Sequence, residues 1–471
     1  MPGLVVAALL VLSLALVHLS LRAQPMPKDR PLDVDEGLPL PELAQSSTVF
    51  SLTALFGAYF GIAIALGIPA LTGLAFGTVL GLLLIRYWID KKRPERFENF
   101  LLDLLKGNRR NAAVYTFVIS TVQCAYATSE LLILRELAKV ALGLRSEQAT
   151  LLAIGVGLTG YFYMLFGGYR ALFVTDVVQV VLVSLMAIVS GAFLLIRNSQ
   201  AGWIARLLPR PGFWEIPLLG PSRWLYLYHF ILAAVMGMGF LLASPDSWKR
   251  VFQVGKRKTS HGVRTLILVG VGILPYLVLL PFAIAANMSS GGGPIKRGAM
   301  LSPSQYGNFI FAGAALGLVA SFLSSFDSAL VASVHIQLML RRKKVGVKNE
   351  EAGFYWRMVT VLLTICSLFV AARLMFSNPW LLGNLLMGMY AAIAGVQIGT
   401  RGDISRLPEN SLHWVFALGF VGWFLYFVYS PGFSEVPTLY SVNTVPAGVC
   451  VFFATAILSK LLIFGGRKNA R

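Results

Sequence analysis

The sequence predicts an all-α polytopic membrane protein with about 13 transmembrane helices, and three observations support this fold class. Hydrophobic residues make up 56% of the 471-residue chain. Charged residues make up only 13%, about half of the roughly 25% found in soluble domains. Apolar runs of about 20 residues, the length that crosses a bilayer as a helix, recur along the whole chain. The composition therefore excludes a soluble enzyme, a nucleic-acid binder and a disordered scaffold.

The predicted spans are apolar runs separated by short polar segments. They cover residues 3–21, 46–67, 70–89, 113–142, 149–166, 172–196, 223–244, 265–286, 307–340, 358–376, 380–398, 411–429 and 443–464. The first is expected to be a retained helix, because Met1-Pro2-Gly3 carries no basic residue of the kind that begins a signal peptide. Gly167-Gly168 is expected to separate the fifth span from the sixth, since glycine pairs often interrupt helices.

The charge of the chain is strongly basic, with 40 Lys and Arg residues against 21 Asp and Glu residues. Such an excess can indicate nucleic-acid binding, but here the basic residues concentrate in short loops between apolar runs. That bias is typical of cytoplasmic loops in membrane proteins. We therefore expect no nucleic-acid partner, an outside N-terminus and a cytoplasmic C-terminus in a bacterial-type inner (plasma) membrane. The basic run 341–344 is expected to contact anionic membrane lipid.

The order of the spans predicts an internal repeat. Five spans lie within 46–196 and five more within 223–398. An odd number of spans reverses the direction in which the next unit enters the membrane, so the two units would be inverted relative to each other. We therefore predict a first repeat at 46–196 and a second at 223–398. A helix and linker in 1–45 precede them, and two helices and a tail in 411–471 follow.

Glycines interrupt the first span of each predicted repeat. The second span of the chain contains Gly57 and Gly61, and the seventh contains Gly237 and Gly239 before Ser244-Pro245. Secondary transporters often bind their ions where such paired helices unwind. The alternative is that these glycines only allow close packing of membrane helices.

Four serines of the ninth span lie on one face of the predicted helix. At about 100° per residue, Ser321, Ser324, Ser325 and Ser328 fall within about 100° of one another. Hydroxyl oxygens are ligands that a hard cation such as Na⁺ accepts, by the rule that holds for other hard cations. The alternative is that each serine bonds to the carbonyl one turn back. Asp327 lies off this face and is not expected to be a ligand; a functional role and a pairing with a neighbouring helix are both open for it.

Four segments of the chain carry a family resemblance. The segment 324–330 resembles the eighth core helix of the solute:sodium symporter family, and 167–179 resembles the start of its fifth core helix. The segments 67–69 and 246–250 are similar to its motifs in core helix one and after core helix six. The resemblance covers nearly the whole chain. It implies a leucine-transporter-like fold with five plus five core helices.

The resemblance also implies a sodium site and a mechanism. Na⁺ would bind to backbone carbonyls and serine hydroxyls at Gly57, Phe60, Ser321, Ser324 and Ser325. Asp176 would take part in the release of sodium to the cytoplasm. The implied activity is sodium-driven import of a small organic solute by alternating access. No metal other than sodium is expected.

The candidate substrate-binding residues are Tyr59 and Glu130. Glu130 could meet a cationic group of the solute or carry a proton; the alternative is a structural partnership with Arg135 or another helix residue. The family's aromatic inner gate in sugar transporters falls near Leu242, which is not aromatic. A sugar substrate is therefore not expected, because sugars need many hydrogen-bonding partners in a buried pocket.

Two other functions are compatible with the sequence. The sparse polar lining of core helix one is compatible with a non-transporting sensor or partner subunit that keeps the fold and binds a partner protein. Proton coupling through Glu130 or Asp327 is the second alternative. Enzymatic activity is not expected, because the sequence contains no nucleophile–base pair and no phosphate-binding loop.

Overall fold

The computed structural model describes residues 68–94, 109–141, 143–197, 221–255, 260–288, 308–345, 350–375, 380–429 and 444–469. Over these ranges the chain is α-helical, with short turns, one 3₁₀ turn and no strand. The predicted all-α fold class is therefore confirmed. The predicted spans 3–21 and 46–67 lie outside the described residues, and so do Gly57, Tyr59 and Phe60.

Eleven α-helices are present in the described ranges. In chain order they are α1 Ile68–Lys92, α2 Arg109–Ala141, α3 Ser146–Arg197, α4 Pro221–Ala243, α5 Pro245–Gly255, α6 His261–Met288, α7 Asn308–Val345, α8 Glu350–Met375, α9 Trp380–Thr400, α10 Leu412–Tyr429 and α11 Thr444–Asn469. Six described helical segments are long and apolar enough to cross a membrane. The chain is therefore a multi-pass membrane protein.

Helix α3 covers two predicted spans, its apolar segments are Ser146–Phe166 and Val178–Phe193, and Gly167-Gly168 lies between them as expected. The helix bends between these two segments. The Gln179 amide nitrogen lies 3.4 Å from the Tyr163 hydroxyl, whereas a straight helix would separate these residues by roughly 24 Å along its axis. Gly167-Gly168 lies between them, and glycine pairs are a common cause of sharp kinks. The two halves of α3 therefore run in different directions and lie side by side at Tyr163 and Gln179.

The predicted break in the seventh span lies at Ser244 and not at its glycines. Helix α4 runs through Gly237 and Gly239 and ends at Ala243. A Cβ added at Gly237 would come 2.7 Å from the Leu74 carbonyl oxygen, so this glycine allows α1 to approach α4 closely. Close packing, the alternative stated for the glycines, is thus their role in this helix.

Side chains satisfy the carbonyl groups at the end of α4. The Trp248 indole nitrogen donates to the carbonyl oxygens of Leu241 at 3.1 Å and Leu242 at 3.2 Å. The Gln123 amide donates to the Ala243 carbonyl oxygen at 3.2 Å. Ser244 then accepts the Ser247 amide through its side chain at 3.5 Å, as an N-cap residue does. These contacts allow one helix to end and another to begin inside the protein.

Helix α5 contains the motif 246–250, which the resemblance places after core helix six. Lys249 and Arg250 are fully buried, unlike the basic residues expected in short loops between apolar runs. The helix packs against α1 and α7. Burial of the Arg250 cation is stabilised by two carboxylate partners, as described below.

Helix α7 is the central element of the fold. Its apolar stretch Val319–Leu338 is buried, whereas the stretch Gly353–Leu374 of α8 is mostly exposed. Helix α7 packs along α2 and along both halves of α3. Helix α1 packs along α4 and α6, and α9 packs along α4 and α11. Polar groups on α7 are therefore positioned among other helices and away from lipid.

Candidate ion and substrate site

The three serines predicted as sodium ligands lie on the buried face of α7. Ser321, Ser324 and Ser325 are completely buried. The Ser325 hydroxyl donates to the Ser321 carbonyl oxygen at 3.2 Å, which is the ordinary bond to the previous turn. The Ser321 hydroxyl has no hydrogen-bond partner among the described residues. A buried hydroxyl without a partner is costly, so Ser321 has the capacity to bind a further group.

Ser324 connects α7 with α3. Its hydroxyl donates to the Asp176 carboxylate oxygen Oδ1 at 3.3 Å. The structure therefore brings together the predicted sodium-binding serine and the predicted sodium-release aspartate. Asp176 is itself completely buried, so its negative charge acts on Ser324 with little screening by water.

A buried arginine shares the Asp176 carboxylate with Ser324. The Arg250 Nη2 atom lies 2.9 Å from Asp176 Oδ2, and its Nε atom lies 2.7 Å from Asp246 Oδ2. All three side chains are buried. Asp246 and Arg250 are one turn apart on α5, and Asp176 is on α3. The ion pair thus joins α5 to the helix that carries the release aspartate.

Three aromatic rings from different helices meet beside the serine face. The ring centroid of Phe240 in α4 lies 4.9 Å from that of Tyr126 in α2 and 5.5 Å from that of Tyr390 in α9. The two tyrosine rings are 6.4 Å apart. Tyr126 also makes polar contacts with Glu130 and Ser325. The aromatic cluster therefore borders both the predicted substrate residue and the serines.

Glu130 lies one turn after Tyr126 on α2 and is buried. Its Oε2 atom and the Tyr390 hydroxyl have no hydrogen-bond partner among the described residues. Arg135, which the sequence offered as a partner of Glu130, instead bonds to Glu136 and to the Thr150 hydroxyl. A buried carboxylate oxygen and a buried hydroxyl near the same rings can therefore accept a donor from a ligand.

Asp327 pairs with neighbouring side chains on α3, one of the two readings left open for it. The Tyr163 hydroxyl donates to its carboxylate. The Gln179 amide approaches the same oxygen at 3.5 Å, and the Ser328 hydroxyl approaches the other at 3.5 Å. Because Tyr163 and Gln179 belong to the two halves of α3, Asp327 holds the bent helix against α7.

Several residues that complete this site are not evident from the sequence. In the sequence, Phe240 is one of many apolar residues in a span. Only its proximity in space to Tyr126 shows that it belongs to the site. Arg250 lies in a short charged segment between two predicted spans, where burial is not expected. The spacing of Asp246 and Arg250, four residues apart as in a helical ion pair, was the available signal for α5.

Comparisons with solved structures identify the fold. The structure of a Na⁺-coupled sialic acid symporter in a substrate-bound, outward-open state aligns with a TM-score of 0.64 and 14% identity over 97% of each chain. A manganese transporter from Eremococcus coleocola, in complex with an aromatic bis-isothiourea substituted compound, aligns with a TM-score of 0.50 and 12% identity over 93% of this chain and 99% of the other. Identities this low establish similarity of fold alone.

No protein-family model matches the sequence, and none of the curated proteins matches it either. The structural alignments nevertheless show that the chain has the helical fold of these membrane transporters. Both similar structures are transporters rather than enzymes. The expected place in the solute:sodium symporter family stays a prediction from the sequence.

Proposed function

We propose that the chain is a sodium-coupled secondary active symporter of the solute:sodium family that imports a small organic solute by alternating access. The observation that carries the proposal is the bond from the Ser324 hydroxyl to Asp176. This contact places a serine hydroxyl next to a carboxylate at a buried position. The unpartnered hydroxyl of Ser321 lies one turn away on the same helix face.

The sodium ion would bind among oxygen atoms of α7 and of the predicted span 46–67. Ser321, Ser324 and Ser325 supply hydroxyl and carbonyl oxygens from α7. Backbone carbonyls at Gly57 and Phe60 complete the set, as the family resemblance implies. Hydroxyls and carbonyls suit a hard monovalent cation, because it takes oxygen ligands and needs no full charge from each.

Asp176 and Arg250 would control the passage of sodium towards the cytoplasm. One carboxylate oxygen of Asp176 faces Ser324 and the other faces Arg250. A sodium ion at the serines is attracted to this carboxylate and repels the guanidinium that shares it. Ion binding therefore weakens the link between α3 and α5, and departure of the ion restores it. In this way the occupancy of the ion site would affect helix packing towards one side of the membrane.

The solute would bind between α2, α4 and α9. Glu130 accepts a hydrogen bond from a donor or cationic group, and the rings of Tyr126, Phe240 and Tyr390 cover the apolar part of the solute. Tyr59 would contribute as the sequence predicts. Aromatic faces also attract cations when these are removed from water. An organic solute with an amino or other donor group therefore fits these residues better than a sugar does.

The first experiment is sodium binding to the purified protein, measured by thermal shift or calorimetry against choline. We expect a sodium-specific stabilisation in the wild type and its loss in the Ser324→Ala, Ser325→Ala double variant. Sodium-driven solute screening in proteoliposomes follows from a positive result. A folded wild-type protein that does not respond to sodium would contradict the proposed coupling ion.

Proton coupling is the second candidate, and the unpartnered Oε2 atom of Glu130 favours it. Uptake driven by a pH gradient without sodium would support this candidate. A non-transporting sensor or partner subunit is disfavoured, because a degenerate ion site gives no reason to keep the buried polar contact between Ser324 and Asp176. For all three functions we place the chain in a bacterial inner (plasma) membrane with the N-terminus outside.

A further inference from the structure

A cleft with no assigned role opens between the end of α1, helix α5 and the start of α6. Its volume is about 410 Å³. The side chains that matter for its chemistry are Arg86, Asp90, Arg93, Phe252, His261 and Arg264. None of these residues belongs to the ion or substrate site described above. The cleft is therefore basic and separate from that site.

Arg86 is the strongest indication that the cleft binds a ligand. Only 4% of this residue is exposed. Its Nε atom donates to Asp90 Oδ2 at 3.2 Å, but its Nη1 and Nη2 atoms are buried without a hydrogen-bond partner among the described residues. Leaving a buried charged donor unsatisfied is costly. The planar guanidinium fork suits two oxygens of one anion.

The rest of the lining also favours an anion. Among the described lining residues Asp90 carries the only negative charge, and it is engaged by Arg86 and lies 3.8 Å from the His261 imidazole. Arg93 is exposed at the rim, and Arg264 lies in the first turn of α6. The amino terminus of a helix adds a partial positive charge there. The lining therefore carries three guanidinium groups against one carboxylate.

The position of the cleft fits the phosphate layer of a membrane. Helix α1 contains no charged residue before Arg86, and α6 contains none after Arg264. The cleft thus lies where two apolar helices leave the hydrocarbon region, on the side predicted to be cytoplasmic. Phe252 provides an apolar wall beside the basic groups. Basic pockets between membrane helices at this depth bind anionic headgroups.

We propose that this cleft binds a phosphate group, presented either by an anionic phospholipid headgroup or as a free phosphate, with Arg86 as the central ligand. Two oxygens of the phosphate take hydrogen bonds from Nη1 and Nη2 of Arg86. Arg264 and the start of α6 bind the remaining charge. Bound phosphate would hold α1 to α6 across the short helix α5. The binding does not depend on the proposed transport activity.

The test uses the full chain, purified in an uncharged detergent and free of sodium. Thermal stability is titrated with three probes: dihexanoyl-phosphatidylglycerol, dihexanoyl-phosphatidylcholine and inorganic phosphate as its choline salt. The variants are Arg86→Gln, Arg86→Lys and Arg264→Gln. Arg373→Gln, which changes an exposed arginine of α8, is the matched control. Removing sodium separates this result from any effect at the ion site.

We expect phosphatidylglycerol to stabilise the wild type and phosphatidylcholine to have no such effect. Arg86→Gln and Arg264→Gln should each weaken binding by about tenfold or more, the effect of one charge-assisted hydrogen bond. The affinity of Arg86→Lys should lie between those of the wild type and Arg86→Gln. Arg373→Gln should bind as the wild type does. Equal stabilisation by inorganic phosphate would identify free phosphate as the source, whereas a response to the lipid alone would identify the headgroup.

Two results would overturn the proposal. One is a wild type that responds equally to both lipids and does not respond to phosphate. The other is a pair of glutamine variants that bind with wild-type affinity. If Arg86→Gln does not fold, Arg86→Lys and Arg264→Gln decide the question, since the first keeps the buried charge and the second changes a residue nearer the surface.

Discussion

The Ser324 hydroxyl in α7 lies 3.3 Å from one carboxylate oxygen of Asp176 in α3, while the other oxygen lies 2.9 Å from Arg250 in α5. One buried carboxylate is therefore shared between a hydroxyl of the candidate ion site and a cation of a neighbouring helix. A positive ion at the serines would compete with Arg250 for this charge. The relationship connects ion occupancy to the packing of three helices.

Removal of two serine hydroxyls tests the ion site. In the Ser324→Ala, Ser325→Ala double variant we expect normal expression, a loss of unfolding free energy of about 1–3 kcal/mol from two hydrogen bonds, and no stabilisation by sodium. Ser333→Ala is the matched control, because Ser333 is a buried serine of α7 that donates to the Ser120 carbonyl oxygen. Unchanged stabilisation by sodium in the double variant would contradict the assignment of these serines as sodium ligands.

Removal of the buried guanidinium tests the shared carboxylate. Arg250→Met leaves the buried Asp176 and Asp246 carboxylates without their common partner. We expect a loss of about 3–5 kcal/mol of unfolding free energy, as is usual when one member of a buried ion pair is removed. Lys460→Met on α11, where the lysine is exposed, should change stability by less than about 0.5 kcal/mol. Chemical denaturation in detergent measures both, and equal effects would contradict the role given to Arg250.

Glu130→Gln distinguishes solute binding from ion binding. The substitution keeps the shape of the side chain and removes its negative charge, so sodium stabilisation should remain. Solute affinity should fall by about tenfold or more, since a hydrogen bond to a charged group is worth roughly 1.5–3 kcal/mol.

The matched control for this substitution is Glu136→Gln, which affects a carboxylate already paired with Arg135 and Lys139. Solute transport in proteoliposomes is the measurement. Full transport by Glu130→Gln would exclude Glu130 both as a solute ligand and as the proton carrier.

Gly239→Ala tests close helix packing between α4 and α9. An added Cβ would come 2.7 Å from the Tyr390 carbonyl oxygen, so the helices must move apart. We expect a loss of about 1–3 kcal/mol, typical of overpacking. Gly270→Ala is the control, because a Cβ there meets no atom within 4 Å and should stabilise α6 by up to about 1 kcal/mol. Thermal unfolding of the two variants should therefore shift in opposite directions; a tolerated Gly239→Ala would show that the contact is looser.

Helix positions were predicted well because hydrophobic length is a local property of the chain. The predicted span 380–398 corresponds to helix Trp380–Thr400, and 411–429 to Leu412–Tyr429. The sequence predicted a separation at Gly167-Gly168, but not the contacts at the bend of α3 or the burial of α5. The bend requires Tyr163 and Gln179 to meet at Asp327, and the burial of Arg250 requires a carboxylate from another helix. Neither partner can be read from the local sequence.

The sequence by itself determined that the chain is an all-α membrane protein, because composition and the length of apolar runs decide which solvent surrounds a helix. It also placed Ser321, Ser324 and Ser325 on one helix face, because helical periodicity sets that angle. Only the tertiary structure decided that Ser324 meets Asp176 and that Tyr126, Phe240 and Tyr390 form one cluster. Such contacts depend on how helices far apart in the chain pack against each other, and packing is a property of the assembled fold.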